Sequence, residues 1–218
     1  ELLETAPEVA VASSWCEIVG PGDEHLDVSR FPEGVEAGTN AVLSLRRNPA
    51  HGSVLFRRSD YERVGGYRPA FHFAQDTDLW LRLADRGGIR FLPEVLYRVR
   101  VVDGSISTKY RDEQTRLYEL ARECRDARMA GRSEAPLLES AARIRPDGRS
   151  FGRVRRGAGT YFIGRMLTRN RDPRALEYMR QYFQLAPLDP RGWIGMAQAT
   201  WLQYGPVPKT QKIGRPKR

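Results

Sequence analysis

Residues 51–107 read HGSVLFRRSDYERVGGYRPAFHFAQDTDLWLRLADRGGIRFLPEVLYRVRVVDGSIS, and this stretch decides the fold. Its apolar residues recur first at strand spacing and then at helical spacing, with Gly and Pro between the runs. The predicted elements are a strand over 52–56, a helix from the Ser59-x-x-Glu62 capping box to Gly65-Gly66, a helix over 77–86, and strands over 89–92 and 95–101. Alternating strands and helices predict an α/β fold.

The flanking sequence predicts further elements of both kinds. A valine-rich strand is expected over 9–13, with 15–19 as a continuation, and 20–38 as a loop or hairpin. A short helix over 37–45 is stopped by Pro49. The expected downstream helices lie over 110–132, 136–144, 161–168, 173–185 and 191–203. The C-terminal part of the chain is therefore predicted to be helical.

Composition limits the class of protein. The chain has 218 residues and is 40% hydrophobic, which is enough to bury a core. It has neither an apolar run of membrane-spanning length nor a signal peptide, and Cys16 and Cys124 have no disulfide or zinc spacing. These features predict a cytoplasmic location. The formal charge of +9 favours anionic partners without choosing among them.

The candidate catalytic residue is Asp76, in the segment QDTDLWLRL over 75–83. An aspartate just before a helix is a good N-cap, because its oxygens accept hydrogen bonds from free backbone amides. A rigid carboxylate at such a place is also suited to general-base catalysis. Asp78, two residues later, is interpreted as a first-turn helix acid or a substrate ligand, and Trp80 as a core residue. The D-x-D spacing of Asp76 and Asp78 is not interpreted as a metal site.

Residues 51–107 resemble the acceptor half of a family 2 glycosyltransferase of the GT-A fold. The family pattern ED-x-D-L-W-x-R-L matches 75–83, with Gln75 in place of glutamate. The resemblance implies that Asp76 is the general base of an inverting sugar transfer from a nucleotide-sugar donor. It also implies that the donor-binding half precedes residue 1, together with most ligands of a divalent cation, Mg or Mn. The chain is accordingly expected to be an incomplete GT-A fold, inactive alone.

The resemblance also implies substrate-binding residues. His51 and Ser53 match an H-x-S that leads into the acceptor cleft, although His51 is equally well explained as part of a loop. Arg100 lies on a strand where it would approach a diphosphate. In the family pattern R-V-H-P-G-S the histidine falls at Val102 here, so no metal or phosphate role is assigned to that position. The acceptor would be a sugar, a polysaccharide or a glycolipid in a bacterial cell-surface pathway.

The expected organisation has three parts. Residues 1–108 form the glycosyltransferase half, 109–205 a helical extension, and 206–218 a basic, disordered tail. The extension ends in a hairpin that resembles one tetratricopeptide unit and is interpreted as a packing element. The tail either contacts anionic lipid at the inner face of a membrane or is simply solvated.

Two alternatives to an enzyme stay open. A non-catalytic binding or scaffold module derived from the same fold is compatible with Gln75 and Val102, which depart from the family pattern. Nucleic-acid binding rests on charge alone and no recognised motif supports it, so nucleic acid is not expected as a partner. The donor sugar, the acceptor and the linkage cannot be read from these residues.

Overall fold

The computed structural model describes residues 1–102, 110–145 and 157–205. The chain divides into two compact units, Glu1–Arg155 and Arg156–Arg218. In the described residues the first unit contains a four-stranded mixed sheet with helices, and the second contains three helices. The α/β class predicted from the sequence is confirmed at this level. The tail over 206–218 and the motif residues Gly104 and Ser105 lie outside the described residues.

The sheet is built around one long strand. Its strands are β1 (Val9–Val19), β2 (His25–Ser29), β3 (Leu55–Phe56) and β4 (Gly88–Arg100). One edge of β1 pairs in parallel with β4 along its whole length, and the other edge pairs antiparallel with β2 and β3. The first half of β1 is buried, which fits its unbroken apolar sequence. The hairpin expected over 20–38 is the β1–β2 pair.

Pro93 does not divide the last strand into two. Strand β4 continues through it, and the pairing with β1 shifts between Leu92 and Val95. Proline lacks an amide hydrogen, so it is tolerated in a strand at an edge or at such an irregularity. The prediction of two separate strands was wrong because a bulge accommodates this residue.

The helices of the first unit lie before, between and after the strands. They are α1 (Leu2–Thr5), α2 (Val35–Leu43), α3 (Arg58–Arg63), α4 (Gln75–Ala84), α5 (Arg111–Met129) and α6 (Ala135–Arg143). Gly65 and Gly66, with φ of 80° and 65°, form the left-handed turn that ends the α3 segment as predicted. Cys16 and Cys124 are free and buried.

Two local predictions near α3 were wrong. Residues His51–Ser53 form a 3-10 turn, and only Leu55–Phe56 is a strand, because the Ser53 amide donates to the Ala50 carbonyl within the turn. The Ser59 capping box does not form, since α3 begins at Arg58 and has no side-chain cap hydrogen bond. The Arg57 side chain instead fixes the start of α3.

Arg57 binds the N-terminal segment. Its guanidinium donates to the carbonyl oxygens of Leu3, Ala6 and Val9, and it lies 3.6 Å from an Asp60 carboxylate oxygen. Of the two adjacent arginines, Arg57 therefore turns inward and Arg58 is exposed.

Helix α4 lies between two hydrophobic clusters. Leu79, Trp80 and Leu83 pack with the sheet residues, including Val11 and Phe91. On another side Leu81 joins a second cluster with residues of α5 and α6, namely Leu117, Ala121, Cys124 and Ala141. Every residue from 77 to 83 is therefore buried. Helix α4 is thus enclosed by the sheet and by α5 and α6. These two helices, which the sequence assigned to an extension starting at 109, lie in the same compact unit as α4.

The second unit consists of α7 (Ala158–Arg169), α8 (Ala175–Leu185) and α9 (Pro190–Tyr204). Helix α9 starts on Asp189, whose side chain accepts from the Arg191 amide at 2.9 Å, and Pro190 occupies the first helical position. The helical hairpin predicted from the sequence is confirmed as α8 and α9. Across the described stretches of both units, the search for a helix long and apolar enough to cross a membrane found none.

Candidate functional site

The candidate site is built around the first turn of α4, where Asp76 is the second helical residue. Its Oδ1 accepts a hydrogen bond from the Thr77 amide at 2.8 Å, which is a local bond at the helix start. The carboxylate is partly exposed. It does not take part in the ion pairs of Asp78, its neighbour two positions later. Asp76 therefore combines a fixed backbone position with a side chain that solvent can reach.

Two tyrosines lie close enough to Asp76 for its charge to act on them. Burial raises the pKa of Tyr67, and electrostatic interactions with Tyr61 and with the Asp76 carboxylate raise it further. Burial also raises the pKa of Tyr118, to about 12, with Asp76 as the next cause. Both phenols consequently stay protonated at neutral pH and can donate hydrogen bonds. Tyr118 comes from α5, and the motif analysis of 51–107 did not include it.

His51 is joined to this group through Tyr67. Its Nε2 lies 2.7 Å from the Tyr67 hydroxyl oxygen, and its ring contacts Trp80 edge-on with centroids 5.9 Å apart. The 3-10 turn after Pro49 holds His51 at the surface, where the side chain is exposed. Of the residues predicted to bind substrate, His51 is the one that contacts Tyr67, the tyrosine influenced by the charge of Asp76.

Ser53 is engaged with the sheet. Its hydroxyl lies 2.8 Å from the Ser13 hydroxyl of β1 and donates to the Ala50 carbonyl at 2.8 Å. These bonds hold the 3-10 turn against β1. The side chain is partly buried, so its hydrogen-bonding groups serve the turn in this structure.

Asp78 has a different environment from Asp76. Its side chain is 2% exposed and accepts from the Arg82 guanidinium at 2.6 and 3.1 Å, with Arg68 at 3.6 Å. Burial raises the pKa of Asp78, and the two arginines oppose that effect. Of the two interpretations given to Asp78, this geometry favours the structural helix acid. A cation shared between Asp76 and Asp78 does not fit, because both oxygens of Asp78 already face guanidinium groups.

The Asp78 pair belongs to a longer ion-pair chain that joins α4 to α5 and α6. Arg68 continues from Asp78 to Glu134 at 2.5 Å, and Glu134 contacts Arg128 at 3.0 Å. Arg128 in turn pairs with Asp85 at 2.8 Å, at the end of α4. Although burial opposes it, the two arginines hold the pKa of Glu134 below its ordinary value. This chain fixes the helix that carries Asp76.

Asn48 is a second residue that the motif analysis missed. Its amide nitrogen donates to the Thr77 hydroxyl at 2.5 Å, so it contacts the residue that follows Asp76. Its carbonyl oxygen is buried without a hydrogen-bond partner, and so is the indole nitrogen of Trp80. Buried polar atoms left unpaired are uncommon and are found at functional sites. The signal in the sequence was Asn48 just before Pro49, which was interpreted only as a helix end.

Arg100 lies far from the other residues that were predicted to bind substrate. It donates to the carbonyls of Gly20 and Pro21 and pairs with Asp23 at 2.7 Å, across the β1–β2 turn. It is paired in register with Val19, six residues along β1 from Ser13, which is a separation of about 20 Å at strand spacing. The structure therefore does not bring Arg100 together with His51 or Ser53.

An open pocket of about 620 Å³ lies beside the start of α4. It is lined by Pro69, His72, Gln75 and Arg145. Gln75 precedes Asp76, and the pocket adds an imidazole and a guanidinium that can bind hydroxyl or anionic groups. Within the ranges that the structure describes, no cluster of three or more His, Cys, Asp or Glu side chains is placed to hold a metal ion.

Comparison of the chain with protein-family models, with curated proteins and with solved structures found no match. The resemblance to family 2 glycosyltransferases therefore rests on the residues of 51–107 themselves. Any functional assignment has to be argued from the geometry around α4.

Proposed function

We propose that the first unit is the acceptor-side part of an inverting glycosyltransferase in which Asp76 is the general base. The observation that carries the proposal is the contrast between two carboxylates on one helix turn. Asp78 is buried and paired with Arg82, whereas Asp76 is partly exposed and its Oδ1 accepts only from the amide and hydroxyl of Thr77 among the described residues. A carboxylate with a fixed position and a free oxygen is what proton abstraction requires.

The proposed reaction is a single displacement. Asp76 accepts the proton of an acceptor hydroxyl as that oxygen forms a bond to the anomeric carbon of the donor sugar. The bond from this carbon to the diphosphate breaks, and the nucleoside diphosphate leaves with the electron pair. Attack opposite the leaving group inverts the anomeric centre. A divalent cation, Mg or Mn, held mostly by residues of a donor-binding half, would stabilise the charge of the departing diphosphate.

The residues around Asp76 are suited to holding a sugar. Tyr67 and His51 form a hydrogen-bonded aromatic pair beside it, and rings of this kind stack on the apolar faces of sugars. The pocket at Gln75 supplies groups that bind hydroxyls or a phosphate. An acceptor seated there would present its hydroxyl to Asp76. The acceptor class proposed is a sugar, a polysaccharide or a glycolipid.

The test is Asp76→Asn in the chain joined to its donor-binding half. Asparagine caps and begins helices nearly as well as aspartate but does not accept a proton. We expect transfer to fall by about 10²-fold or more while the fold is kept. Glu36→Gln is the matched control, because Glu36 is also the second residue of an exposed helix turn, in α2. Loss of less than about threefold in Asp76→Asn would leave Asp76 with a helix-start role only.

A binding module without catalysis is the second candidate function. It is favoured by the fact that His51, Ser53, Asp78 and Arg100 each already bind a protein group. Titration calorimetry with nucleotide sugars, on the chain joined to its donor-binding half, distinguishes the two candidates. Saturable binding that depends on a divalent cation supports the enzyme, and binding of a glycan acceptor with no donor binding supports the module.

A further inference from the structure

Helix α9 packs on the rest of its unit through its smallest residues. Gly192, Gly195 and Ala199 are its buried positions. A Cβ on Gly195 would lie 2.5 Å from the sulfur of Met179, and one on Gly192 would lie 3.4 Å from the ring of Tyr182. These small residues therefore set which side of α9 faces its unit, and at Gly195 a Cβ would displace the buried Met179 side chain.

Most large apolar residues of α9 are consequently exposed, although Trp193 also packs edge-on against Phe183 of α8 and donates to the Pro187 carbonyl. Trp193, Trp201 and Tyr204 are 60%, 59% and 70% exposed, and Ile194 and Leu202 are exposed as well. Side chains of Phe183, Trp193, Met196, Trp201 and Tyr204 line an open apolar groove of about 620 Å³. A helix of a soluble protein normally buries such residues. An exposed surface of this kind marks a binding face.

The charge of the second unit indicates what binds there. Residues 156–218 contain twelve Arg and Lys and three Asp and Glu, so their formal charge of +9 equals that of the whole chain. From Pro190 to Arg218 the sequence has six cations and no acid. A second copy of the chain would bring two such charges together, which is unfavourable. An anionic partner with an apolar interior would attract the positive charge of this unit and would also bury its exposed aromatic residues.

We propose that the exposed face of α9, formed by Trp193, Ile194, Trp201, Leu202 and Tyr204, binds the surface of an anionic lipid bilayer. Trp and Tyr are the residues enriched at the level of lipid headgroups, because their rings are apolar with a polar edge. Ile194 and Leu202 would reach the acyl chains, whereas a nucleic acid offers no partner for aliphatic side chains. Each Lys or Arg near the bilayer strengthens binding about fivefold. This inference does not depend on sugar transfer by the first unit.

The experiment measures binding of the full chain to phosphatidylcholine vesicles with and without phosphatidylglycerol. We expect binding to the anionic vesicles, weakened by salt, with quenching of tryptophan fluorescence by brominated lipid. Trp201→Ala is expected to weaken binding about tenfold, because roughly half of a large side chain leaves the bilayer. Met129→Ala is the matched control, since Met129 is 63% exposed but lies on α5. It should bind like the wild type.

Several outcomes would overturn the proposal. Equal binding by wild type and Trp201→Ala would show that charge alone attracts the chain to the vesicles. Failure of the wild type to bind anionic vesicles would exclude the lipid surface directly. If Trp201→Ala instead abolishes a dimer seen in sedimentation, or weakens binding to single-stranded RNA without affecting vesicles, then another partner occupies this face. Far-UV circular dichroism of the variant checks that α9 is still folded.

Discussion

Replacing Asp78 by alanine should destabilise the first unit far more than replacing Asp76. Asp78 and Arg82 are 2% and 3% exposed and are 2.6 Å apart, so removing the carboxylate leaves a buried guanidinium without its counter-charge. The Val64 carbonyl, at 2.6 Å, would be its one strong remaining partner among the described residues. Breaking a buried pair in this way costs about 3–5 kcal/mol. The whole free energy of unfolding of a domain is about 5–15 kcal/mol.

Asp76→Ala should lower the free energy of unfolding much less. The local bond to the Thr77 amide and the favourable charge at the helix start are lost, which costs about 0.5–1 kcal/mol. The side chain is partly exposed, and no buried cation is left unpaired by its removal. Two carboxylates separated by one residue are therefore expected to differ several-fold in their effect on stability, with Asp76 contributing less.

Urea unfolding followed by tryptophan fluorescence measures this difference. Trp193→Phe and Trp201→Phe should be introduced first, so that Trp15 and Trp80 report the first unit. The reasoning would be refuted if Asp78→Ala cost less than about 1 kcal/mol or no more than Asp76→Ala. Asp78→Asn is expected to lie between wild type and alanine, because the amide oxygen still accepts from Arg82.

Three further predictions concern the support of α4 and the sheet. The pKa of Glu134 is lowered in the folded state, where Arg68 and Arg128 outweigh burial, so its stabilisation is present above the unfolded pKa and is lost as pH falls through the folded one. Glu134→Gln should cost about 2 kcal/mol at neutral pH and flatten the acid side of the stability profile measured in urea. Arg57→Ala, which removes hydrogen bonds to three backbone carbonyls, should lose about 2–3 kcal/mol and expose the N-terminal segment to limited proteolysis, whereas the exposed neighbouring arginine at position 58 should tolerate alanine. Gly38→Ala should cost about 1–3 kcal/mol in thermal unfolding, because its Cβ would lie 2.5 Å from the Ile89 carbonyl oxygen, which cannot move aside as a flexible side chain can.

The sequence predicted the elements of 51–107 well where one local cause dominates. The glycine turn at Gly65 and Gly66 follows from backbone freedom that only glycine has, and it was found where expected. The capping box predicted at Ser59 does not form, because Arg57 fixes the start of α3 instead. The partners of Arg57 in α1 and β1 are about fifty residues away in the chain. The pattern of neighbouring residues gives no information about contacts between residues so far apart in the chain.

In the candidate site, too, the residues of the local motif were recognised from the sequence and those brought in by packing were not. His51 contacts Trp80 and Tyr67, and the charge of Asp76 acts on Tyr67, so these motif residues are linked through Tyr67. Asn48 and Tyr118 could not be recognised, since neither belongs to the motif and their nearness to Thr77 and Asp76 depends on packing. Arg100 was grouped with the site from strand alternation, but alternation gives a face of the sheet and not a position along it.

By itself the sequence determined the alternation of strands and helices, the turn residues between them, the helical C-terminal unit and the excess of positive charge. These depend on periodicity, backbone freedom and composition, which neighbouring residues carry. Only the tertiary structure decided that Asp78 is a buried partner of Arg82 while Asp76 stays accessible, and that α9 turns its aromatic residues outward. The physical reason is that burial and pairing are set by what packs against a helix. Helices α5 and α6 are distant from α4 in sequence, and the side of α9 that faces α8 is decided by packing and not by apolar periodicity.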